Sequence, residues 1–178
     1  MKRLWLLGAA ALLGACGGQV VHEPAAVGDL VTPGTAPWLT VTGGDDKLEV
    51  RGLDHKLILE PAPNLAAAVQ SQLGAQLQPS YFQDLVVTCS SLVAGLHVNQ
   101  KKAPGKLAMD VGMHCGIWAH GFDSSHDYEA AVSAAVGEGA ADQAYAQALP
   151  KLLADSAGEI ATQLRGDLQK FRGAQTQH

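Results

Sequence analysis

Between residues 106 and 120, apolar and polar positions alternate without a break. Leu107, Met109, Val111, Met113, Cys115 and Ile117 fall on one side; Lys106, Ala108, Asp110, Gly112, His114, Gly116 and Trp118 fall on the other. Successive side chains of a strand point to opposite faces, so this pattern predicts an amphipathic strand with its odd-numbered face buried. A strand over 85–97 precedes it, and the Asn-, Lys-, Pro- and Gly-bearing stretch 99–105 between them has turn chemistry. A third strand over 126–136 follows, with Tyr128, Ala130, Val132, Ala134 and Val136 on one face. Residues 47–51 and 56–60 read as two shorter strands, and 38–41 has the composition of another.

The period becomes helical twice. Asn64, placed after Pro61 and Pro63, is a good N-cap, and Leu65, Val69, Leu73 and Leu77 then recur every four residues as far as Pro79. No charged residue occurs between Pro61 and Gln83, so the polar side of this helix is Gln and Ser, which suits a contacted surface better than a solvated one. A second helix is predicted from about 140 to 171, where Leu149, Leu152, Leu153, Ile160, Leu164, Leu168 and Phe171 form a stripe; Pro150 should kink it or mark a restart. The order of elements predicts an α+β fold: a two-layer sandwich whose antiparallel sheet, a three-stranded meander plus one or two N-terminal strands, is covered by two helices.

The first fifteen residues follow a different logic. Lys2 and Arg3 precede an apolar run of ten residues, Leu4 to Leu13. That is half of the roughly 20 residues a membrane-spanning helix needs. A positive start, a short apolar run and small residues at its end are the marks of a secretion signal. Leu13-Gly14-Ala15-Cys16 resembles a lipobox, which implies cleavage before Cys16 and acylation of its thiol. Residues 1–15 are therefore read as a lipoprotein signal peptide, 16–45 as a lipidated N-terminus and flexible tether, and 46–178 as one globular domain. As a coil, about 30 residues of tether would reach roughly 30 Å. Gly17 after the Cys, by resemblance to enterobacterial sorting, implies the outer membrane, with the domain facing the periplasm.

Charge narrows the partners. The chain carries 12 Lys and Arg against 17 Asp and Glu, a net −5, which becomes −7 once Lys2 and Arg3 leave with the signal. Lys101-Lys102 is the longest basic run, so the sequence offers no nucleic-acid footprint and no contiguous basic patch for acidic headgroups. The expected membrane contact is the lipid at Cys16 alone.

Cys89 and Cys115 remain once Cys16 is acylated. In an oxidising compartment an even pair favours a disulfide over buried free thiols. Setting the two opposite each other in a hairpin centres the turn on residue 102, inside the stretch already read as a loop. The same register sets Val87 against Ile117 and Val93 against Val111. Both faces of 85–97 are fairly apolar, so a bulge could shift it.

His114, His120 and His126, near Asp123 and Asp127, are the candidates for a metal site. A register that buries Tyr128 pairs Ala119 with His126 and Ile117 with Tyr128, which points His120 and His126 to opposite faces. Zinc needs three or four converging ligands, so no metal and no other cofactor is expected. Ser124, Ser125, His126 and Asp127 have the residue types of a hydrolase triad, but neighbours on a strand alternate faces and cannot form the relay. Gly137-Glu138-Gly139 reads as a strand-to-helix turn. The remaining oddity is the even-numbered face of 85–97 (Val86, Thr88, Ser90, Leu92, Ala94, Leu96), too apolar for a solvated surface. Either another segment such as 38–41 covers it, or it meets an apolar partner or lipid.

The lipobox, the helix at 64–78 after a short strand, the three-strand meander and the Ala- and Leu-rich final helix (Tyr145-Ala146-Gln147-Ala148-Leu149 onward) resemble the YajG-type envelope lipoproteins over about residues 55–170. The Cys89/Cys115 pair departs from that pattern, and no diagnostic functional motif comes with it. The resemblance implies an envelope lipoprotein of this fold and no site. The expected function is a non-enzymatic, outer-membrane-anchored module that binds another envelope protein or lipid. An accessory carrier of lipid or lipopolysaccharide is the alternative, and a metal-dependent enzyme comes last.

Overall fold

A computed structural model describes residues 20–32, 34, 36–77, 84–119 and 121–175; Cys16, the signal segment and His120 lie outside them. The chain forms β1 (Val20–Ala26), a single 3-10 turn (Gly28–Leu30), β2 (Leu39–Gly43), β3 (Leu48–Arg51) and β4 (Lys56–Ala62). Then follow α1 (Leu65–Leu77), β5 (Val86–Val98), β6 (Lys106–Ala119), β7 (Phe122–Ala135) and α2 (Asp142–Gln175).

The fold is α+β, with the three long strands β5, β6 and β7 in the expected antiparallel meander. The sheet as a whole is mixed. Its order is β1-β4-β3-β5-β6-β7, with β2 also paired to β5. β1 runs parallel to β4, and β2 and β3 both run parallel to β5; only β3–β4 adds a further antiparallel pair. The expectation of a purely antiparallel sheet fails because residues 20–26, read as tether, add β1 parallel to β4, and the short strands β2 and β3 both run parallel to β5. Pro24 is tolerated in β1, because β1 is an edge strand and a proline's missing N–H can face away from the ladder there.

The stretch after β1 explains the polar side of α1. Gln70 Oε1 accepts from the Val41 N–H at 3.0 Å, Ser71 Oγ accepts from the Thr32 N–H at 2.7 Å, and Gln72 Nε2 donates to the Leu30 carbonyl at 2.8 Å. The uncharged amides and hydroxyl of this helix bond the backbone of 30–41, so they meet protein where a surface helix meets water. Asn64 caps α1 as expected, its Oδ1 accepting from the Ala67 N–H at 2.9 Å. α2 continues through Pro150 as one helix, with Leu149, Leu152, Leu153, Ile160 and Leu164 wholly buried.

The core lies between the helices and one face of the sheet. All seven odd positions of β6 from Leu107 to Ala119 are buried there, opposite Leu73 and Leu77 of α1 and the stripe of α2. Tyr128 closes the β7 side: its hydroxyl, 2 % exposed as a residue, donates to Asp167 Oδ2 of α2 at 2.8 Å.

Candidate functional site: the open face of the sheet

Both helices cover the same side, so the site begins with how β5 divides its residues between the two faces. Cys89 pairs with Cys115 and Val87 with Ile117, as the hairpin register requires, and the two sulfurs are bonded. Beyond Ser90 the register shifts: Val93 faces Gly112 and Ala94 faces Val111, where Val93 was expected opposite Val111. Three steps along β5 match two along β6, which is one extra residue in the strand, a β-bulge. Ser91 takes a left-handed φ of 55° to make it.

The bulge removes the oddity of the apolar even face. Before it, odd residues Val87 and Cys89 are buried; after it, even residues Leu92, Leu96 and Val98 are. Leu92 and Leu96 thus turn to the helices, and neither a covering segment nor an apolar partner is required for them. What β5 shows on the open side is Val86, Thr88, Val93 and His97.

The open face is uneven in a way that alternation alone does not convey. Gly95 and Gly112 carry no side chain, and beside them Val93, 62 % exposed, stands out with Asp110, Glu129 and Ala131 around a shallow depression of about 580 Å³. Along the same surface His114 Nδ1 meets Asp127 Oδ1 at 2.7 Å, across the register pair the two residues form. His97 Nδ1 lies 3.3 Å from Asp110 Oδ2. Trp118 and Val86, an opposed pair, are 44 % and 48 % exposed. The face thus joins exposed apolar side chains with His–carboxylate pairs, able to offer van der Waals area together with charge and directed hydrogen bonds.

The β6–β7 register differs from the expected one by four residues. Met113 faces Tyr128, Cys115 faces His126, and Ala119 faces Phe122. Gly121 takes φ 79° just before β7 begins at Phe122, so residues 122–125 join the strand where a longer loop was expected. Four is even, so the burial of Tyr128, Ala130 and Ala134 is unchanged. His114 projects from the open face while His126 shares the helix-covered face with Tyr128, so these two metal candidates are held apart; His120 is outside the described residues. Ser124 through Asp127 alternate along β7 as strand neighbours.

A second polar cluster was not legible in the sequence. His55, in the β3–β4 turn, lies between two carboxylates: Nε2 is 2.8 Å from Asp142 Oδ1, at the start of α2, and Nδ1 is 2.9 Å from Asp54 Oδ1. With both ring nitrogens facing acceptors the charged imidazolium is favoured, and hydrogen bonds from Asp54 and then Asp142 raise the His55 pKa above 6.5. His55 and Asp142 are 87 positions apart, and no local pattern connects them. The cluster ties the end of the sheet to the first turn of α2.

No family model matches the chain, and no curated protein does. One solved structure, described as an uncharacterized protein, shares 13% identity over 84% of this chain and 90% of its own, at a TM-score of 0.42. Among the described residues no helix is long and apolar enough to cross a membrane.

Proposed function

We propose that this protein is a non-enzymatic lipoprotein of the bacterial outer membrane, anchored through acylated Cys16, whose open sheet face binds another envelope component. The observation that carries the binding role is the pairing of exposed Val93, Trp118 and Val86 with the His114–Asp127 and His97–Asp110 pairs on one uncovered surface. An exposed apolar patch rimmed by polar residues is a mark of an interaction surface. The lipobox supports the anchor, and the Cys89–Cys115 bond suits an oxidising compartment. The carrier alternative needs an apolar groove between helices and sheet; that layer is occupied by side chains such as Leu73, Met109 and Leu153, each fully buried. The open face is therefore the better candidate surface.

Two measurements test the reading. Intact-mass analysis of membrane-extracted protein should show a chain beginning at Cys16 with acyl chains attached; an unmodified amino terminus removes the anchor. Photo-crosslinking residues placed at 93 and 118 in cells should give a discrete adduct that the same probe at Lys151 or Glu159, exposed on α2, does not. Equal labelling at all four positions rules out the open face.

A further inference from the structure

The strand pairings bring distant cations to one end of the sheet. Val20 of β1 pairs with Lys56 of β4, Arg51 at the end of β3 pairs with His97 of β5, and Lys106 begins β6 beside the loop that carries Lys101 and Lys102. All five cations are exposed. They come from two stretches of chain, 51–56 and 101–106, which the β3–β5 and β5–β6 pairings set side by side.

The balance of charge is lopsided. This end holds Arg51, Lys56, Lys101, Lys102 and Lys106 against Glu49, Asp54, Glu138 and Asp142, whereas the rest of the chain from residue 16 holds five cations against thirteen carboxylates. Three of the four carboxylates are engaged locally, Glu49 with Lys56 at 3.0 Å and Asp54 and Asp142 with His55. That leaves Arg51 and three lysines facing solvent, with Glu138 as the carboxylate not so engaged. The opposite end of the sheet carries Asp29 after β1, Asp84 before β5 and Asp123 in β7; Lys170, toward the end of α2, is paired with Asp167 at 2.7 Å.

The chain also enters the fold at the basic end, since β1 begins there at Val20. Three residues separate Val20 from Cys16, four Cα steps that span at most about 14 Å when fully extended. Resting on the lipid anchor proposed above, we infer that the basic end of the sheet lies against the anionic phospholipid headgroups of the membrane that holds Cys16, with the strands rising from the surface. Lysines and arginines within a Debye length of an anionic surface are attracted to it, and that length is about 8–10 Å at physiological salt. At full extension the span exceeds that length by a few ångströms, and any less extended path from Cys16 brings the end within it. The acidic bulk of the domain is directed away, and the open face is left accessible from the side.

The test uses the full chain, extracted in its processed form and reconstituted into phosphatidylcholine vesicles with or without phosphatidylglycerol. A donor dye is placed by Gln100→Cys at the basic end or by Asp123→Cys at the far end, with an acceptor on the lipid headgroups. Energy transfer should be high at 100 and low at 123, and the contrast should grow with phosphatidylglycerol and shrink in raised salt. K101E/K102E/K106E should reduce transfer at 100 to its value in neutral vesicles. Equal transfer at both ends, or no dependence on phosphatidylglycerol, overturns the inference. Intact mass of the same sample reports the anchor separately. If Cys16 is unacylated, the anchor fails, and sedimentation with phosphatidylglycerol vesicles decides the basic end: the triple reversal should then weaken binding by about fivefold for each residue reversed, and unchanged sedimentation overturns it.

Discussion

Cys89 and Cys115 face each other across β5 and β6 on the helix-covered side of the sheet, their Cα atoms 4.0 Å apart, two residues before β5 bulges at Ser91. The bond holds the hairpin register on one side of the bulge, and the packing of Leu92, Leu96 and Val98 holds it on the other. Both cysteines are fully buried, so the bond is part of the core.

Closing a loop of 26 residues by a disulfide stabilises a fold by about 2–4 kcal/mol, chiefly by restricting the unfolded chain. The double variant C89A/C115A should lose about that much in urea denaturation, lowering Tm by roughly 5–15 °C for a domain of this size. Unchanged midpoints with and without reductant would show that the bond does not form in the native protein.

Ser91 occupies a left-handed conformation that costs a non-glycine residue roughly 1 kcal/mol. S91G should leave stability unchanged or raise it by up to about 1 kcal/mol, and S91V should lower it by about 1–2 kcal/mol. Deleting Ser91 should do far more damage, since it would return Leu92 and Leu96 to the solvent face. A deletion variant with wild-type stability would show that the bulge does not set the register.

The hydrogen bond from Tyr128 to Asp167 joins the outer strand to α2, and Y128F should cost about 1–2 kcal/mol by urea denaturation near neutral pH. Burial tends to raise the Asp167 pKa, but hydrogen bonds from Lys170 and Tyr128 outweigh it and hold the carboxylate below its usual value of 3.8. A lowered carboxylate pKa means stability that is present above the unfolded value and lost as pH falls through the folded one. The gap between Y128F and wild type should accordingly narrow in acid, below that usual value. A gap independent of pH would assign the effect to packing. The Tyr128 hydroxyl itself, buried and beside a carboxylate, is pushed up and stays protonated at neutral pH.

For His55 the sign is reversed. Its raised pKa means that the contribution of the Asp54–His55–Asp142 cluster is fully present below 6.5 and fades as pH rises through the folded value. An NMR titration should place its midpoint above 6.5, D54N should lower that midpoint most, and D142N should lower it less. A wild-type midpoint at or below 6.5 would show that the two carboxylates do not hold the ring in solution.

The sequence by itself determined what depends on local periodicity and local chemistry. β6 and its buried odd face followed from strict alternation, α1 from a four-residue leucine and valine repeat behind Asn64, and the Cys89–Cys115 pairing from the position of one loop. The uncharged polar side of α1 even announced a contact. Tertiary structure decided what depends on partners far along the chain. Residues 20–26 became a strand because the edge of β4 supplies hydrogen bonds that no local pattern encodes. One extra residue at Ser91 moved two leucines across the sheet, because side-chain direction has period two and a single insertion inverts it. The His55 cluster and the gathering of Arg51, Lys56, Lys101, Lys102 and Lys106 were equally hidden, since charges act through space and only the strand order sets the distances between them.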